Sequence, residues 1–400
     1  MGRCVYSLPD YGRMLGEPSR FGAFRRALER AISPGDVVID LGAGPGVFAL
    51  LAARAGAGRV YAVEPDPVLT LLPELARLNG ASNIEPIHGL STTFEPAKRA
   101  DVIISDLRGV LPTFTDHLPS VIDARRRLLA EGGRLIARRD VIWAAPVHAP
   151  QERKRQLGGF EVDGLDLGLA AERASHHWTR VELEESALLA EPQRVAALDY
   201  RVLESANVSA ELEFELQSQP ILDGAALDGI AVWFDTELDG HESFSNAPSQ
   251  KMIYGQAFFP FRHAFEARRG DRLSLRFAAH HIPGEDYLYR WSGRLERGGE
   301  VVGRYQHSTF HGVSLSPSAL ASRSPDHRPS LVEGAALSAR IDATIVELLD
   351  GGGSIGEVSE LLQERFPGEL ESAHDALRRV CRVADRYAVG PYSRRRSASA

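Results

Sequence analysis

Cysteine is nearly absent from this chain: Cys4 and Cys381 stand near opposite ends of 400 residues. So few, so far apart, they suggest neither a disulfide framework nor a metal site. No apolar run approaches the roughly 20 residues that a membrane span needs. The N-terminus lacks the charged-then-apolar pattern of a secretory signal. Neither sign of charge dominates: 46 basic and 54 acidic residues leave a formal charge of −8. That balance offers no general attraction to nucleic acid or to an anionic membrane. A cytoplasmic globular protein is the default expectation. At 400 residues, 44% of them hydrophobic, the chain is long enough for two or three domains.

What is present divides the chain by pattern. Over 31–148, the short apolar runs "VVIDL", "RVYAVE", "IEPIHG", "ADVIISDL" and "GRLIARRDVIW" read as strands. Between them, "VFALLAARAGA", "PVLTLLPELARLNG" and "LPSVIDARRRLLAEGG" read as helices. This rhythm predicts an α/β domain with a mostly parallel sheet and helices on both faces. From about 195 to 310 the pattern changes to alternation, as in "SAELEFELQ", "GIAVWFDTEL" and "DRLSLRFAA", which predicts antiparallel strands. The Ser/Pro-rich stretch 311–330 reads as a linker, and 331–392 as a small helical domain. There Ser354 and Glu357 form a capping box, with Ile355, Val358, Leu361, Leu362 and Phe366 expected on one face. Residues 393–400 read as a disordered tail.

The stretch "VVIDLGAGPG" carries the first chemical signal. Gly42, Gly44 and Gly46 after a strand let the backbone turn tightly and approach a ligand where a Cβ would clash. No Gly-Lys-Ser/Thr follows to cradle a triphosphate, and the spacing misses the dinucleotide fingerprint. Asp40 ahead of the loop would repel a pyrophosphate but suits an ammonium or sulfonium. Glu64 lies 24 residues further on, where an acid commonly accepts both ribose hydroxyls. An acid for a cation, an acid for a ribose and no anion cradle describe S-adenosylmethionine. A dinucleotide, or a glycine turn without ligand, is the competing reading.

With these residues in place the sequence resembles a known family. "YGRMLGEPSRFGAFRRAL", "DLGAGPGVFALLAARAGAGRVYAVE" and "ADVIISDLRG" look like the protein arginine methyltransferases. The later "AVWFDTEL" and "FSNAPSQKMIYGQAFFPF" look like the β-barrel that those enzymes carry after their methyltransferase fold. The resemblance covers roughly residues 6–310. It implies a doubly wound, seven-stranded-type methyltransferase sheet (31–148) behind an N-terminal helical segment (1–30), then a β-barrel (149–310). Arg20 would pair with the cofactor's carboxylate, and Met14 would lie near the reacting centre. Asp40 and the loop Gly42, Ala43, Gly44 and Gly46 would face the amino-acid part, Glu64 and Pro65 the ribose. Leu90 and Ser91 would follow along the cofactor, although Thr92 stands where the family has a glutamate near the adenine. The segment 160–185 falls where the family has an arm that docks on a second subunit, implying a homodimer. A cap on the barrel is the other reading of that segment.

The departures are in the acceptor pocket. The family holds a guanidinium between two glutamates by charge-assisted hydrogen bonds. Here Asp106 takes the first position and Thr115 the second, with Asp116 and His117 just beyond. Ile253 and Tyr254 replace the histidine and tryptophan of a barrel loop, and Arg108 replaces an apolar residue. Asp106 is expected to orient or deprotonate the acceptor, or else to cap the following turn. Asp116, His117 and Tyr254 are the further catalytic candidates; helix capping and core packing are their plainer roles. Arg108 reads either as a partner for a substrate carboxylate or as a solvated turn residue. The pairs His176–His177 and His280–His281 lack partners at ligand spacing, so no metal is expected.

The C-terminal segment "IDATIVELLDGGGSIGEVSELLQERFP" looks like the winged-helix domains of ribosomal-peptide modification, which capture a leader as an added strand. Winged helices that dimerise or bind nucleic acid match it too. The expectation is a methyltransferase acting on nitrogen, an amine or guanidine of a small natural product or modified peptide. An O-methyltransferase on a carboxylate or hydroxyl, or a non-catalytic cofactor- and peptide-binding dimer, are the alternatives.

Overall fold

The computed structural model describes residues 7–217, 225–283, 287–312, 334–370 and 372–387. Two compact units divide the chain, one within 4–314 and the other built on 315–400.

The first unit opens with α1 (Leu8–Leu15) and α2 (Pro18–Ala31). A reciprocal Ser7–Asp10 capping box starts α1, and Pro18 opens α2 where a missing N–H costs nothing. In α2, Ala23, Phe24, Ala27, Leu28 and Ala31 are buried, the single stripe of a helix laid on a core. Then come β1 (Val37–Leu41), α3 (Val47–Arg54), β2 (Arg59–Glu64), α4 (Leu72–Leu78), β3 (Ile84–His88), β4 (Ala100–Ser105), α5 (His117–Arg127) and β5 (Leu129–Ile136). The strands form an all-parallel sheet in the order β3-β2-β1-β4-β5. Every residue of β1 is buried, as expected of a central strand covered on both faces. The doubly wound α/β fold is thus present, and of the seven-stranded type the sheet contains the first five strands.

Two elements end earlier than periodicity suggested. The helix in "LPSVIDARRRLLAEGG" stops at Arg127, and β5 begins at Leu129. "GRLIARRDVIW" is not one strand: β5 ends at Ile136, and β6 (Arg139–Val147) pairs antiparallel with β10 (Gln193–Asp199) and β12 (Ala225–Glu237). The chain therefore leaves the parallel sheet ten residues before the expected start of the barrel. Between β6 and β10 lie α6 (Pro150–Leu157), the hairpin β7 (Glu161–Val162) and β8 (Leu165–Asp166), α7 (Gly168–Ala174) and β9 (Thr179–Val181). The β domain is completed by β11 (Val208–Glu215), β13 (Ser243–Ser245), β14 (Gln256–Ala267), β15 (Arg272–His280), β16 (Leu288–Arg297) and β17 (Glu300–Ser308). One sheet runs β10-β6-β12-β14-β9 with β13 on β12; the other runs β11-β15-β16-β17. Between them Phe259, Phe277 and Trp291 pack with ring centroids 5.1–5.3 Å apart, edge to face as aromatic quadrupoles prefer.

In the second unit, helices Ala335–Asp350, Ile355–Arg365 and Ala373–Tyr387 enclose a core of Ile341, Ile345, Val358, Leu362, Val380 and Val383. The Ser354–Glu357 capping box is present. Ile355 and Leu361 are exposed, so the buried face is narrower than expected. Among the described residues of this unit there is no strand. The expected linker from 313 on and the tail 393–400 lie outside the described residues. Among the described residues no helix is long and apolar enough to cross a membrane.

Candidate active site

The carboxyl ends of β1, β2 and β4 converge where open parallel sheets bind their ligands. After β1, Gly42, Gly44 and Gly46 take φ of +69°, +53° and +88°, which favours glycine at each. A Cβ on Gly42 would fall 2.1 Å from Leu107, and one on Gly46 2.3 Å from Leu72. The loop is tied to β2 through Gly42 N–H and Ala43 N–H on Val63 O, at 2.9 and 3.1 Å. Glu64 closes it: Oε2 accepts from Gly44 N–H and Oε1 from Asp66 N–H, both at 2.9 Å. Pro65 follows directly. Leu90 is exposed, and Ser91 opens a short turn held by Arg127, whose Nη2 donates to Ser91 O at 2.6 Å.

Asp40 is 1% exposed, and its Oδ2 has no hydrogen-bond partner. Burial pushes its carboxyl up to about 7, with Glu64 and Asp106 adding to the effect. A buried acid with a bare oxygen, beside a loop stripped of side chains, fits the ammonium and sulfonium end of S-adenosylmethionine. Glu64, with one oxygen on the loop and the other on Asp66 N–H, stands at the end of β2, where an acid suits ribose hydroxyls. On chemistry and shape the site fits this cofactor. Among the described residues no cluster of three or more histidines, cysteines or acids is arranged to hold a metal ion.

Beside it stands a second cluster, drawn from three distant parts of the chain. Arg20 on α2 donates from Nε to Asp106 Oδ2 at 2.7 Å and to the Tyr254 hydroxyl at 2.9 Å. Its Nη2 also reaches Asp106, and Nη1 reaches Met14 O at 3.0 Å. The Phe24 and Phe48 rings lie 5.7 and 5.6 Å from the guanidinium carbon. Tyr254 donates to Asp106 Oδ1 at 3.2 Å, so this barrel residue belongs to the site as well as to the core. Met14, Arg20, Asp106 and Tyr254 thus lie together, with Asp106 as the carboxylate partner of Arg20. Burial would raise the Asp106 carboxyl, but the Arg20 and Arg108 guanidiniums hold it below the usual range.

Arg108 departs from one of the two expectations for it. It is not a solvated turn residue: its side chain is fully buried. Nη1 donates to Asp106 Oδ1 at 3.1 Å and Nε to Asp140 Oδ2 at 2.6 Å. Asp140, on β6, also accepts from Thr236 Oγ1 at 2.8 Å and from the Tyr200 hydroxyl. With that hydrogen committed, His117 Nε2 donates to the Tyr200 oxygen at 3.0 Å. Burial, with Arg108 close by, pushes His117 well below the usual imidazole range, so the ring is neutral. His117 is 1% exposed and reaches Asp106 only through Tyr200, Asp140 and Arg108. The expected acid–base role does not suit that position. Asp116 turns the other way, to the surface, where Oδ1 lies 2.8 Å from His281 Nε2.

Sequence reasoning missed Asp140 and Tyr200, and weighed His281 only as a metal ligand. Asp140 did leave a signal: an acid inside the strand-like run "GRLIARRDVIW" must find a cation or hydrogen-bond donors when buried.

Comparisons with known proteins agree with this architecture. The family model of the TRM5/TYW2 methyltransferase domain matches residues 19–127. A probable protein arginine N-methyltransferase 6 of Arabidopsis thaliana is 29% identical over 241 residues, 58% of this chain and 54% of that protein. The chain thus spans about half the length of that relative. An arginine N(omega)-methyltransferase of Streptomyces achromogenes subsp. streptozoticus is 29% identical over 66% of this chain and 74% of its own. Protein arginine methyltransferase 10 of Arabidopsis thaliana superposes with a TM-score of 0.67 at 20% identity, covering 76% of this chain and 98% of that one. A Trypanosoma brucei enzyme–prozyme complex of arginine methyltransferase 1 with S-adenosylhomocysteine also gives 0.67, at 21% identity over 74% and 96%. In sequence and in fold, the chain is similar to the protein arginine methyltransferases.

Proposed function

We propose that the chain is an S-adenosylmethionine-dependent methyltransferase acting on nitrogen, on an amine or guanidine of a small natural product or modified peptide. The observation that carries the proposal is the convergence of Arg20, Asp106 and Tyr254 beside the bare carboxylate of Asp40. When bound, the cofactor supplies a methyl group activated on its sulfonium. Asp40 would hold the ammonium, Glu64 the ribose and Arg20 the carboxylate. Asp106 would accept a hydrogen bond from the acceptor N–H and so aim the nitrogen lone pair, with Tyr254 and Arg108 fixing the carboxylate. Such alignment supplies much of the rate in a displacement reaction. The nitrogen relatives and the acid at this position favour nitrogen over oxygen.

The arm formed by β7, β8 and α7 carries exposed apolar side chains at Val162, Leu165 and Leu169, 46%, 64% and 71% exposed. This supports a homodimer. A cytoplasmic enzyme is in keeping with the reading.

The test is transfer of labelled methyl to arginine, simple amines, an arginine-rich peptide and an extract of the source cells. Asp106→Asn should lower transfer by on the order of a hundredfold or more, with cofactor affinity changed by only a few-fold. Transfer unaltered in that variant removes Asp106 from the reaction. Tight cofactor binding with no labelled acceptor in any fraction favours a binding protein instead.

A further inference from the structure

The neighbours of Asp106 determine what charge an acceptor can bring. Asp106 is the acid of the acceptor end, with Thr115 where the resemblance places a second. Its side chain is 5% exposed, and both oxygens are engaged by cations, Oδ2 by Arg20 and Oδ1 by Arg108. The two cations are not equivalent. A bound cofactor offers Arg20 a carboxylate of its own, whereas Arg108 has no such alternative. Arg108 is clamped from behind by Asp140, which is itself held by Thr236 and Tyr200. One guanidinium nitrogen of Arg108, Nη2, is buried with no acceptor at all. His117, which touches Tyr200 behind this pair, is neutral and brings no further charge.

We propose that Arg108 is the specificity-determining residue of the acceptor site. By occupying Asp106 it replaces the cationic guanidinium that such a carboxylate would otherwise bind, so the acceptor enters as an uncharged nitrogen nucleophile. This rests on the reading of Asp106 as the acceptor-side acid and narrows it, from amine or guanidine to a neutral amine. A neutral amine already presents the lone pair that displacement requires: an N–C bond would form as the methyl–sulfur bond of the sulfonium breaks, with a neutral thioether as the leaving group. After transfer its nitrogen is cationic, and the guanidinium of Arg108 opposes its retention. One proton must then leave the product for water; no other co-reactant is needed.

The experiment is calorimetric titration of L-arginine into the protein loaded with S-adenosylhomocysteine. Three proteins are compared: wild type, Arg108→Lys, and the double variant Arg108→Met/Asp140→Asn. The double variant removes both charges of the pair together, while the introduced amide keeps an oxygen for Thr236. That route is gentler than stranding one charge in the interior. Arginine should gain on the order of tenfold in affinity in the double variant, because loss of the paired Asp140 charge cancels part of the effect of removing a unit charge about 6 Å away. Wild type and Arg108→Lys should bind it poorly, since the lysine preserves the charge but not the shape. Two results overturn the proposal: saturable arginine binding by wild type that is lost in Asp106→Asn, or a folded double variant that gains nothing. Should the double variant fail to fold, the wild-type titration decides alone. Failure of wild type to bind S-adenosylhomocysteine would show before arginine is added, and would count against the methyltransferase reading itself.

Discussion

Asp40 shows at the residue scale how a binding site works against its own stability. Its carboxyl titrates near 7 in the fold because burial disfavours the charge. An acid that holds its proton more tightly folded than unfolded weakens the fold as pH rises between those two values. From an ordinary value near 4 to about 7, the loss in the cofactor-free protein amounts to roughly 4 kcal/mol at most. Asp40→Asn should therefore raise the thermal midpoint of the cofactor-free protein at pH 8 and weaken cofactor binding about tenfold or more. Scanning calorimetry and titration measure the two, and a variant less stable than wild type contradicts the account. Below pH 7, binding should also release a proton, seen as a buffer-dependent heat. The acids of this site were legible in the sequence because a glycine loop after a strand fixes where its flanking side chains go. Asp116 and His117 were not: adjacent residues at a helix start face different surroundings. Only the fold shows that one meets His281 and the other Tyr200.

Among elements, the segment between β4 and α5 matters most, because it spans from Asp106 to Asp116 and is fastened to the β domain along its length. Asn246 Nδ2 donates to Val110 O at 3.1 Å and also to Gly255 O, while its Oδ1 accepts from Phe234 N–H at 2.7 Å. Thr113 Oγ1 lies 2.9 Å from the Tyr289 hydroxyl. Thr115 holds φ of +40°, a costly conformation for a β-branched residue that these anchors enforce. Asn246→Ala would leave three backbone groups unmatched, two of them in buried hydrogen bonds. It should destabilise the protein by roughly 2–4 kcal/mol and raise the acceptor KM more than it lowers kcat. Denaturant melts and steady-state kinetics read the two effects; unchanged stability would mean that water replaces the amide. Strand periodicity revealed the β-type runs, since alternation survives in "DRLSLRFAA" and apolar continuity in "VVIDL". It could not reveal that "GRLIARRDVIW" changes sheets midway, because both halves are equally apolar and the departure is decided by pairing with β10 and β12.

At the scale of the whole molecule, the arm between α6 and β9 is the surface least explained by the fold of one chain. Leucines 64% and 71% exposed, at Leu165 and Leu169, are uncommon on a free helix and hairpin. Leu165→Asp with Leu169→Asp should convert a dimer to a monomer in sedimentation without shifting the far-ultraviolet spectrum. A wild type that sediments as a monomer at micromolar concentration would make the arm a cap on the barrel instead.

The path of β6 has a consequence for recombination. Asp140, at its second residue, lies on the barrel side of the boundary, and its partner Arg108 lies on the methyltransferase side. Cutting the gene at the apparent seam, near Arg138, and grafting a different barrel would leave a guanidinium entombed without its counter-ion. The barrel is therefore not an exchangeable cassette: a viable chimera must carry Asp140, Tyr200 and Thr236 across with the first domain, or surrender Arg108 with them.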